Sequence, residues 1–218
     1  MAAPLILASN SPRRHALLRE AGYTFEVVVP AVSELMLAQL SLRELTIANA
    51  TRKAMAVARI YPYRVVLAAD TLVAMDGEII GKPRDLGHAR VILRRLSGRT
   101  HEVATAVCII GPRVRISFAE ISQVRFRKLT ESAITKYFEA VNPIDKAGAY
   151  GAQGAGGNII AAIAGSVTNV IGLPMERTTE VLTQVGVRPL SESRPQLPEA
   201  QSERLPAHVS APDRETRR

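Results

Sequence analysis

The arrangement of apolar and polar residues changes repeatedly along the chain, from short continuous apolar runs to apolar residues at helical spacing. The first pattern predicts strands and the second predicts helices. The predicted strands lie at residues 5–8, 25–29, 65–69, 102–110, 114–126, 159–163 and 167–171. The predicted helices lie at residues 12–21, 42–59, 88–96, 130–140 and 174–185. Because the two kinds of element alternate without a strict repeat, we predict an α/β or mixed α+β fold on a twisted mixed sheet flanked by helices.

Particular residues mark where several of these elements begin and end. Ser11 followed by Pro12 is typical of a helix N-cap and first helical position. The Asp-Gly pair at residues 76–77 lies between two apolar runs and predicts a tight hairpin. The buried run at residues 65–69 is expected to end at Asp70, which would place this carboxylate at the mouth of a strand.

Residues 189–218 differ in composition from the rest of the chain. They hold five of the thirteen prolines and few apolar residues. Because such a segment buries too little to offset its chain entropy, we predict one domain at residues 1–188 and a disordered tail at residues 189–218. The tail has five basic and five acidic residues, so the net charge of +8 belongs to the domain. A basic domain favours anionic ligands, either phosphorylated small molecules or nucleic acid.

The rest of the composition narrows the class of protein further. A single cysteine, Cys108, excludes an intrachain disulfide and a cysteine-based zinc site, and its apolar neighbours predict that it is buried. The apolar run near the N-terminus ends at residues 9–10 and is too short for a signal peptide or a membrane span. We therefore expect a cytoplasmic protein without a membrane partner.

The first candidate site is Ser-Asn-Ser-Pro-Arg-Arg at residues 9–14, where a predicted strand meets a predicted helix. Free N–H groups at a helix start attract phosphate, and the Ser9 hydroxyl with Arg13 and Arg14 could add hydrogen bonds to its oxygens. The alternative is a pair of solvated arginines beside an ordinary N-cap.

Two further candidates follow the central apolar run. Asp70, with Thr71 beside it, could bind a divalent cation or orient a water, although a turn-capping aspartate would give the same pattern. Lys82, in Gly-Lys-Pro after the predicted hairpin, could bind phosphate, although most such lysines face solvent. The chain has no Walker pattern, which disfavours a P-loop nucleotidase.

The fourth candidate is a glycine-rich loop at residues 145–154, Asp-Lys-Ala-Gly-Ala-Tyr-Gly-Ala-Gln-Gly. The Gln153 amide can both donate to and accept from one edge of a base, which suits recognition of a nucleobase. The alternative is a tight connection whose Asp-Lys pair is structural.

Taken in order, these segments resemble the Maf family of nucleoside triphosphate pyrophosphatases. The resemblance rests on six motifs between about residues 4 and 185, at residues 7–14, 69–71, 81–85, 96–101, 145–151 and 169–174. It implies hydrolysis between the α and β phosphates, a divalent cation such as Mg²⁺ or Mn²⁺, two lobes with a central cleft in a fold like that of the inosine triphosphatases, and a homodimer. The motif Asp-Lys-Ala-Gly-Ala-Tyr-Gly with its following Gln is similar to the branch that acts on dTTP and UTP, not the branch that acts on 7-methyl-GTP.

The resemblance also implies roles for single residues. Asp70 matches the proton acceptor, and Arg13, Thr71 and Gln153 match positions that determine specificity. Lys53 and Lys82 match basic positions that face the phosphates. Family members often carry an acidic pair where this chain has Ser33-Glu34, so one possible metal ligand is missing. Glu34 is the one acidic residue left at this pair, and Glu34 and Asp70 would supply the metal ligands.

The physical chemistry of the substrate agrees with these assignments. Arg13, Arg14, Lys53 and Lys82, together with a metal ion, could neutralise a triphosphate of about four negative charges and leave the α-phosphorus open to water. Asp70 would act as general base or as metal ligand, and the sequence does not separate these roles. The rival hypothesis is a nucleotide- or RNA-binding module without catalysis, which the charge favours and the low aromatic content, 4%, disfavours.

Overall fold

The computed structural model describes residues 5–190, so the predicted tail lies outside the described residues except for its first two positions. The Leu190 backbone N–H donates to the Gly22 carbonyl at 2.8 Å, which joins residue 190 to the domain. The strands are β1 (Leu5–Leu7), β2 (Phe25–Val27), β3 (Val66–Met75), β4 (Glu78–Ile80), β5 (Thr100–Gly111), β6 (Val114–Phe126) and β7 (Ile160–Ala164). The helices are α1 (Pro12–Glu20), α2 (Leu42–Ala58), α3 (Leu86–Leu96), α4 (Glu131–Ala140), α5 (Val167–Ile171) and α6 (Met175–Gln184).

The strands form one mixed seven-stranded sheet, as the sequence predicts. Its order is β2-β1-β3-β5-β6-β7, and β4 pairs with β3. β1 is parallel to β2 and β3, whereas the remaining pairs are antiparallel. Because β5 and β6 have 12 and 13 residues, the sheet is elongated along these strands.

A gap in the pairing of β3 determines where the functional site lies. One edge of β3 pairs with β5 from Val66 to Ala74. The opposite edge pairs with β1 only at residues 66–67 and with β4 only at residues 73–75. Within the part of the chain that the structure describes, residues 68–72 have no strand beside them on that edge, so the sheet is split there.

The hydrophobic core is divided at the same place. On one face of the sheet, α1 and α6 pack against the start of β3, with Leu67 and Ala69 in the cluster. Also on that face, α3 and α4 pack against the end of β3, with Val73 and Met75 in a second cluster. The opposite face is covered by α2, whose Ala50, Ala54 and Val57 meet Val66 and Ala68. The expected two lobes with a cleft between them are therefore present, and the cleft lies at the split in the sheet.

The local sequence explains where α2, the long helix that borders this cleft, begins. α2 begins at a capping box in which the Ser41 hydroxyl accepts from the Glu44 N–H and the Glu44 carboxylate accepts from the Ser41 N–H.

The predicted Asp-Gly hairpin is confirmed, because Asp76 and Gly77 have φ values of 55° and 78°, as a type I′ turn requires. Cys108 is buried, as predicted.

Two of the predicted element boundaries are wrong. β3 does not end at Asp70 but continues to Met75, so Asp70 and Thr71 lie in the middle of a strand. Residues 167–171 form the helix α5 and not a strand. The Ser166 hydroxyl caps this helix by accepting from the Asn169 N–H at 3.1 Å, and tertiary contacts of Asn169 override the β-branched composition.

Candidate active site

A cavity of about 390 Å³ occupies the split between the two lobes. Its walls come from the turn between β1 and α1, the middle of β3, α2, the segment after β4 and the loop after α4. The cavity brings together eight of the residues that the sequence singles out. These are Ser9, Arg13, Arg14, Glu34, Lys53, Asp70, Thr71 and Lys82.

A cluster of charges lies on the α2 side of the cavity. The Lys53 ammonium donates to the Glu34 carboxylate at 2.8 Å and to Asp70 Oδ1 at 2.5 Å. Lys82 Nζ is 3.9 Å from the same Glu34 carboxylate and stays more than half exposed. Lys53 reaches Asp70 because even-numbered residues of β3 point toward α2. The cluster thus places two ammonium groups and two carboxylates at the open edge of β3.

The two carboxylates of the cluster differ in their surroundings. Partial burial would raise the pKa of Glu34, but the hydrogen bond and charge of Lys53, followed by the charge of Lys82, lower it below its ordinary value. Asp70 is almost fully buried, and its Oδ2 has no hydrogen-bond partner among the described residues. A buried carboxylate oxygen that lacks a partner is free to accept a proton or to bind a cation.

A buried hydrogen-bonded network lies on the other face of β3. Arg14 is 9% exposed, and its guanidinium donates to the Gly172 carbonyl at 2.8 Å, to Ser9 Oγ at 3.0 Å and to Thr71 Oγ1 at 3.0 Å. Burial lowers the pKa of Arg14 to about 10, so it remains charged at neutral pH. Gly172 has a φ of 129°, which a residue with a side chain rarely adopts. Arg14 therefore joins three separate segments at the base of the cavity.

The network continues from Thr71 into the sheet with a defined direction. The Thr105 hydroxyl donates to the Asn169 carbonyl at 2.8 Å, so Thr71 Oγ1 donates to Thr105 Oγ1 across 2.9 Å. The Asn169 amide accepts from the Thr105 N–H and donates to the Val103 carbonyl and the Ser122 hydroxyl. These hydrogen bonds connect Arg14 through Thr71 to α5, and they hold the Thr71 side chain in one orientation.

Arg13 has a different environment from its neighbour. Its guanidinium lies 3.6 Å from the Asp145 carboxylate, and both side chains are partly exposed. Lys146 also pairs with Asp145, at 2.6 Å. Arg13 belongs to α1, whereas the loop that carries Asp145 packs on the α3–α4 lobe, so this pair spans the cavity.

Hydrogen bonds of two tyrosine side chains hold the glycine-rich loop in place. Tyr137 of α4 accepts from the Gly151 N–H at 3.0 Å, and Tyr150 of the loop is hydrogen-bonded to His101 Nε2 at 2.7 Å. A Cβ on Gly156 would collide with the Gly151 carbonyl oxygen, so the loop folds closely on itself there. Gln153 has an exposed side chain and lies beside the cavity, not among its lining residues.

Sequence reasoning missed several polar residues that build this site. The missed residues are Asn49, Thr105 and Tyr137. Asn169 belongs to a predicted motif, but the contacts of its side chain were not predicted. The sequence carries one usable signal for Asn49, a polar residue in the apolar stretch Ile-Ala-Asn-Ala of a helix. Thr105 and Tyr137 carry no such signal, because threonine in a strand and tyrosine in a helix are ordinary core residues.

The fold and this cavity, whose lining carries five cationic side chains against three carboxylates, suit a protein that binds an anionic ligand beside a buried carboxylate. Residues 4–185 match the family model described as Maf-like protein. The chain belongs to the Maf family.

Several relatives share much of the sequence. The chain is 48% identical over 182 residues to a dTTP/UTP pyrophosphatase of Symbiobacterium thermophilum, with 84% of this chain and 94% of that protein covered. It is 45% identical to the dTTP/UTP pyrophosphatase of Akkermansia muciniphila, with 86% and 100% covered. It is 44% identical to that of Salmonella typhimurium, with 82% and 91% covered.

Among solved structures, a dITP/XTP pyrophosphatase from Mycobacterium abscessus aligns with 84% of this chain and 95% of its own. The sequence identity is 16% and the TM-score is 0.42. Superposition at that level bears on neither the fold nor the activity.

Within residues 5–190, no helix is long and apolar enough to cross a bilayer. The described residues also contain no group of three or more His, Cys, Asp or Glu side chains gathered around one point. Three carboxylates line the cavity: Glu34 and Asp70 both pair with Lys53, whereas Asp145 pairs with Arg13 and Lys146.

Proposed function

We propose that this protein is a nucleoside triphosphate pyrophosphatase that hydrolyses dTTP and UTP to the nucleoside monophosphate and pyrophosphate. The observation that carries the proposal is the cluster of Lys53, Lys82, Glu34 and Asp70 at the split edge of β3, inside one cavity. The relatives at 44–48% identity, each covered over 91% or more of its length, support the choice of substrates.

In the proposed reaction, a water molecule attacks the α-phosphorus and the bond to the bridging α–β oxygen breaks. The buried Oδ2 of Asp70, which has no partner in the described part of the chain, accepts the proton of the attacking water. Lys53 and Lys82 stabilise the charge that develops on the phosphates and on the departing pyrophosphate. Because Asp70 and Lys53 project from a central strand and a long helix, both groups are rigidly positioned.

The residues present fit a divalent cation. Asp70 Oδ2 is a buried oxygen without a partner, and Glu34 supplies a second carboxylate 2.8 Å from the ammonium that separates them. Mg²⁺ and Mn²⁺ take oxygen ligands, often one or two carboxylates together with substrate phosphates. Glu34 and Asp70 are the carboxylates that would hold the ion, and the ion would neutralise charge on the phosphate oxygens. In that arrangement Asp70 would serve as a metal ligand in place of its role as proton acceptor.

Specificity for the base is assigned to Gln153, with Arg13 and Thr71 on the base or sugar side. A glutamine amide can pair with the O4 and N3–H edge that uracil and thymine share, whereas cytosine presents an amino group and an unprotonated nitrogen there. The exposed position of Gln153 beside the cavity is compatible with contact to a base that extends out of it. Losing two such hydrogen bonds should lower the specificity constant roughly ten- to a hundredfold.

The experiment is a panel of dTTP, UTP, CTP, ATP, GTP and 7-methyl-GTP with Mg²⁺ or Mn²⁺, followed by separate assays of pyrophosphate and orthophosphate. We expect pyrophosphate from dTTP and UTP well ahead of the others, and a flatter preference in Gln153→Ala. Release of orthophosphate would show that a different bond is cleaved. A nucleotide that binds and stays intact would support a binding module instead, and 7-methyl-GTP as the best substrate would reject the pyrimidine assignment alone.

The homodimer and the cytoplasmic location that the family resemblance and the composition suggest remain predictions. Sedimentation of the purified protein over a range of concentrations tests the first, and fractionation of the source cells tests the second.

A further inference from the structure

A buried amide on α2 has no part in the reaction proposed above. Asn49 is 1% exposed and lies between core positions of the helix, beside Leu45 and Ala50, which are also buried. Asparagine in a helix interior is less favourable than alanine by up to about 0.7 kcal/mol, and a buried amide without partners would cost more. Its presence calls for a specific partner.

That partner is the backbone of one residue in the segment before α2. Asn49 Oδ1 accepts from the Leu35 N–H at 2.7 Å, and Asn49 Nδ2 donates to the Leu35 carbonyl at 3.2 Å. The two bonds determine the orientation of the amide. Rotating it by half a turn would place its NH₂ group against the Leu35 N–H and its oxygen against the Leu35 carbonyl. Asn49 thus pairs with Leu35 as a neighbouring strand would.

The segment held in this way is otherwise irregular. Residues 28–41 form neither helix nor strand, and Met36 and Leu37 beside the pairing point are exposed. Backbone without regular pairing is easily displaced unless side chains or packing hold it. The amide of Asn49 supplies two bonds at the centre of this segment.

The residue next to the pairing point is Glu34. Its carboxylate is bound by Lys53, which lies one turn after Asn49 on α2. Residues four apart on a helix share a face, so α2 holds the backbone of this segment with Asn49 and the carboxylate beside it with Lys53. The two contacts hold Glu34 through its own carboxylate and through the backbone of the residue that follows it.

We propose that Asn49 is a positioning residue, which holds the backbone at Leu35 so that Glu34 stays against Lys53 and beside Asp70. The inference rests on the proposed function, because it gives Glu34 a role at the reacting phosphates. A positioning role differs from a purely structural role in one measurable respect. The loss of activity on changing Asn49 should depend on whether Glu34 is present.

The variants separate the two roles. Asn49→Ala removes both bonds, and Asn49→Asp keeps the acceptor of the Leu35 N–H but faces the Leu35 carbonyl with a carboxylate. The matched control is Thr46→Val, since Thr46 is also buried on α2 but donates its hydroxyl to the Leu42 carbonyl of the same helix. Each change is made in the full chain and in a Glu34→Gln background.

The first measurement is kcat/KM for dTTP together with the Mg²⁺ concentration for half-maximal activity. Losing an outer contact of a metal-binding carboxylate lowers activity or metal affinity by ten- to a hundredfold, and we expect about tenfold for Asn49→Ala. In the Glu34→Gln background the same change should cost less than about twofold, because the group it positions is gone. Equal losses in the two backgrounds would overturn the proposal.

The second measurement needs no activity. Amide hydrogen exchange of a peptide covering residues 30–37 should accelerate at least tenfold in Asn49→Ala, in proportion to the lost protection, while Thr46→Val should leave it unchanged. Unchanged exchange in Asn49→Ala would overturn the proposal even if activity fell. A wild-type protein that releases no pyrophosphate would reject the proposed function but would leave this exchange result to be judged by itself.

Discussion

Asp70 and Thr71 are neighbours on β3, yet the two faces of this strand hold their polar groups in different ways. On the face toward α2, Asp70 belongs to an ionic cluster whose outer members, Glu34 and Lys82, are 39% and 54% exposed. On the face toward α1, Thr71 belongs to a chain of buried hydrogen bonds that runs from Arg14 to Asn169.

The difference separates groups available for chemistry from groups that maintain the cavity. The ionic cluster retains an oxygen without a partner and charges that a phosphate could recruit. The buried network has its donors directed to protein acceptors, so it supplies shape and orientation. We therefore expect changes on the α2 face to alter turnover and changes on the α1 face to alter stability.

The largest expected effect is that of Asp70→Asn. It should keep the fold and most of the affinity for nucleotide, while kcat falls by roughly 10²–10⁴-fold, because the proton acceptor is lost. Pyrophosphate release with dTTP measures the rate, and circular dichroism checks the fold. Turnover close to that of the wild type would remove Asp70 from the mechanism.

The second effect sets Arg14 against Arg13. Arg14→Met should lower the free energy of unfolding by about 3 kcal/mol, because Thr71, Ser9 and the Gly172 carbonyl lose their donor. Arg13→Met should change it by less than about 0.5 kcal/mol, because its ion pair is partly exposed. Urea denaturation measures both, and equal losses would contradict the division between the two residues.

The third effect concerns His101, which lies on the same face of the sheet as Thr71. Burial lowers the pKa of His101 to about 4 from an ordinary value of 6.5, so the unfolded chain binds a proton more readily than the folded one. Stability from the neutral histidine is present above pH 6.5 and is lost as the pH falls toward 4, by an amount on the order of 3 kcal/mol.

Urea denaturation at several pH values checks this dependence. His101→Gln, whose amide can either donate to or accept from the Tyr150 hydroxyl but does not titrate, should show a smaller loss between pH 6.5 and 4. The same slope in both proteins would contradict the assignment to His101.

The smallest effect is expected at the exposed rim of the ionic cluster. Lys82→Ala should lower kcat/KM about tenfold, because a solvated ammonium contributes one charge to the phosphates, and stability should stay unchanged. Steady-state kinetics with dTTP and thermal melting measure the two quantities. A loss of stability larger than the loss of activity would move Lys82 from the chemistry to the scaffold.

Local pattern in the sequence predicted much of the fold because the relevant information is local. The start of α1 at Pro12, the Asp-Gly turn at residues 76–77 and the apolar spacing of α2 each depend on residues close together in the chain. The same is true of the charged residues of the motifs, whose chemical types already indicated a phosphate-binding site. Lys53 and Lys82 therefore were predicted beside Asp70, and the structure brings these three side chains to one cavity.

The length of β3 and the helical state of residues 167–171 were not available from local pattern. β3 continues past Asp70 because its other edge pairs with β5 as far as Ala74, and the paired residues are 28 to 44 positions apart in the chain. Residues 167–171 become helical because the Asn169 side chain bonds to β5 and β6, which a strand at that place would not allow.

Sequence alone thus determined the class of most elements, the basic character of the domain and the residue types expected to meet a phosphate. Only the tertiary structure decided that Arg14 is buried while Arg13 is not, that Asn49 reaches Leu35, and that Gln153 lies beside the cavity. The physical reason is that propensity and charge belong to single residues, whereas the direction of a side chain depends on strand register and on contacts between distant segments. The split between β1 and β4 along β3 is such a long-range feature, and it is what opens the cavity between the lobes.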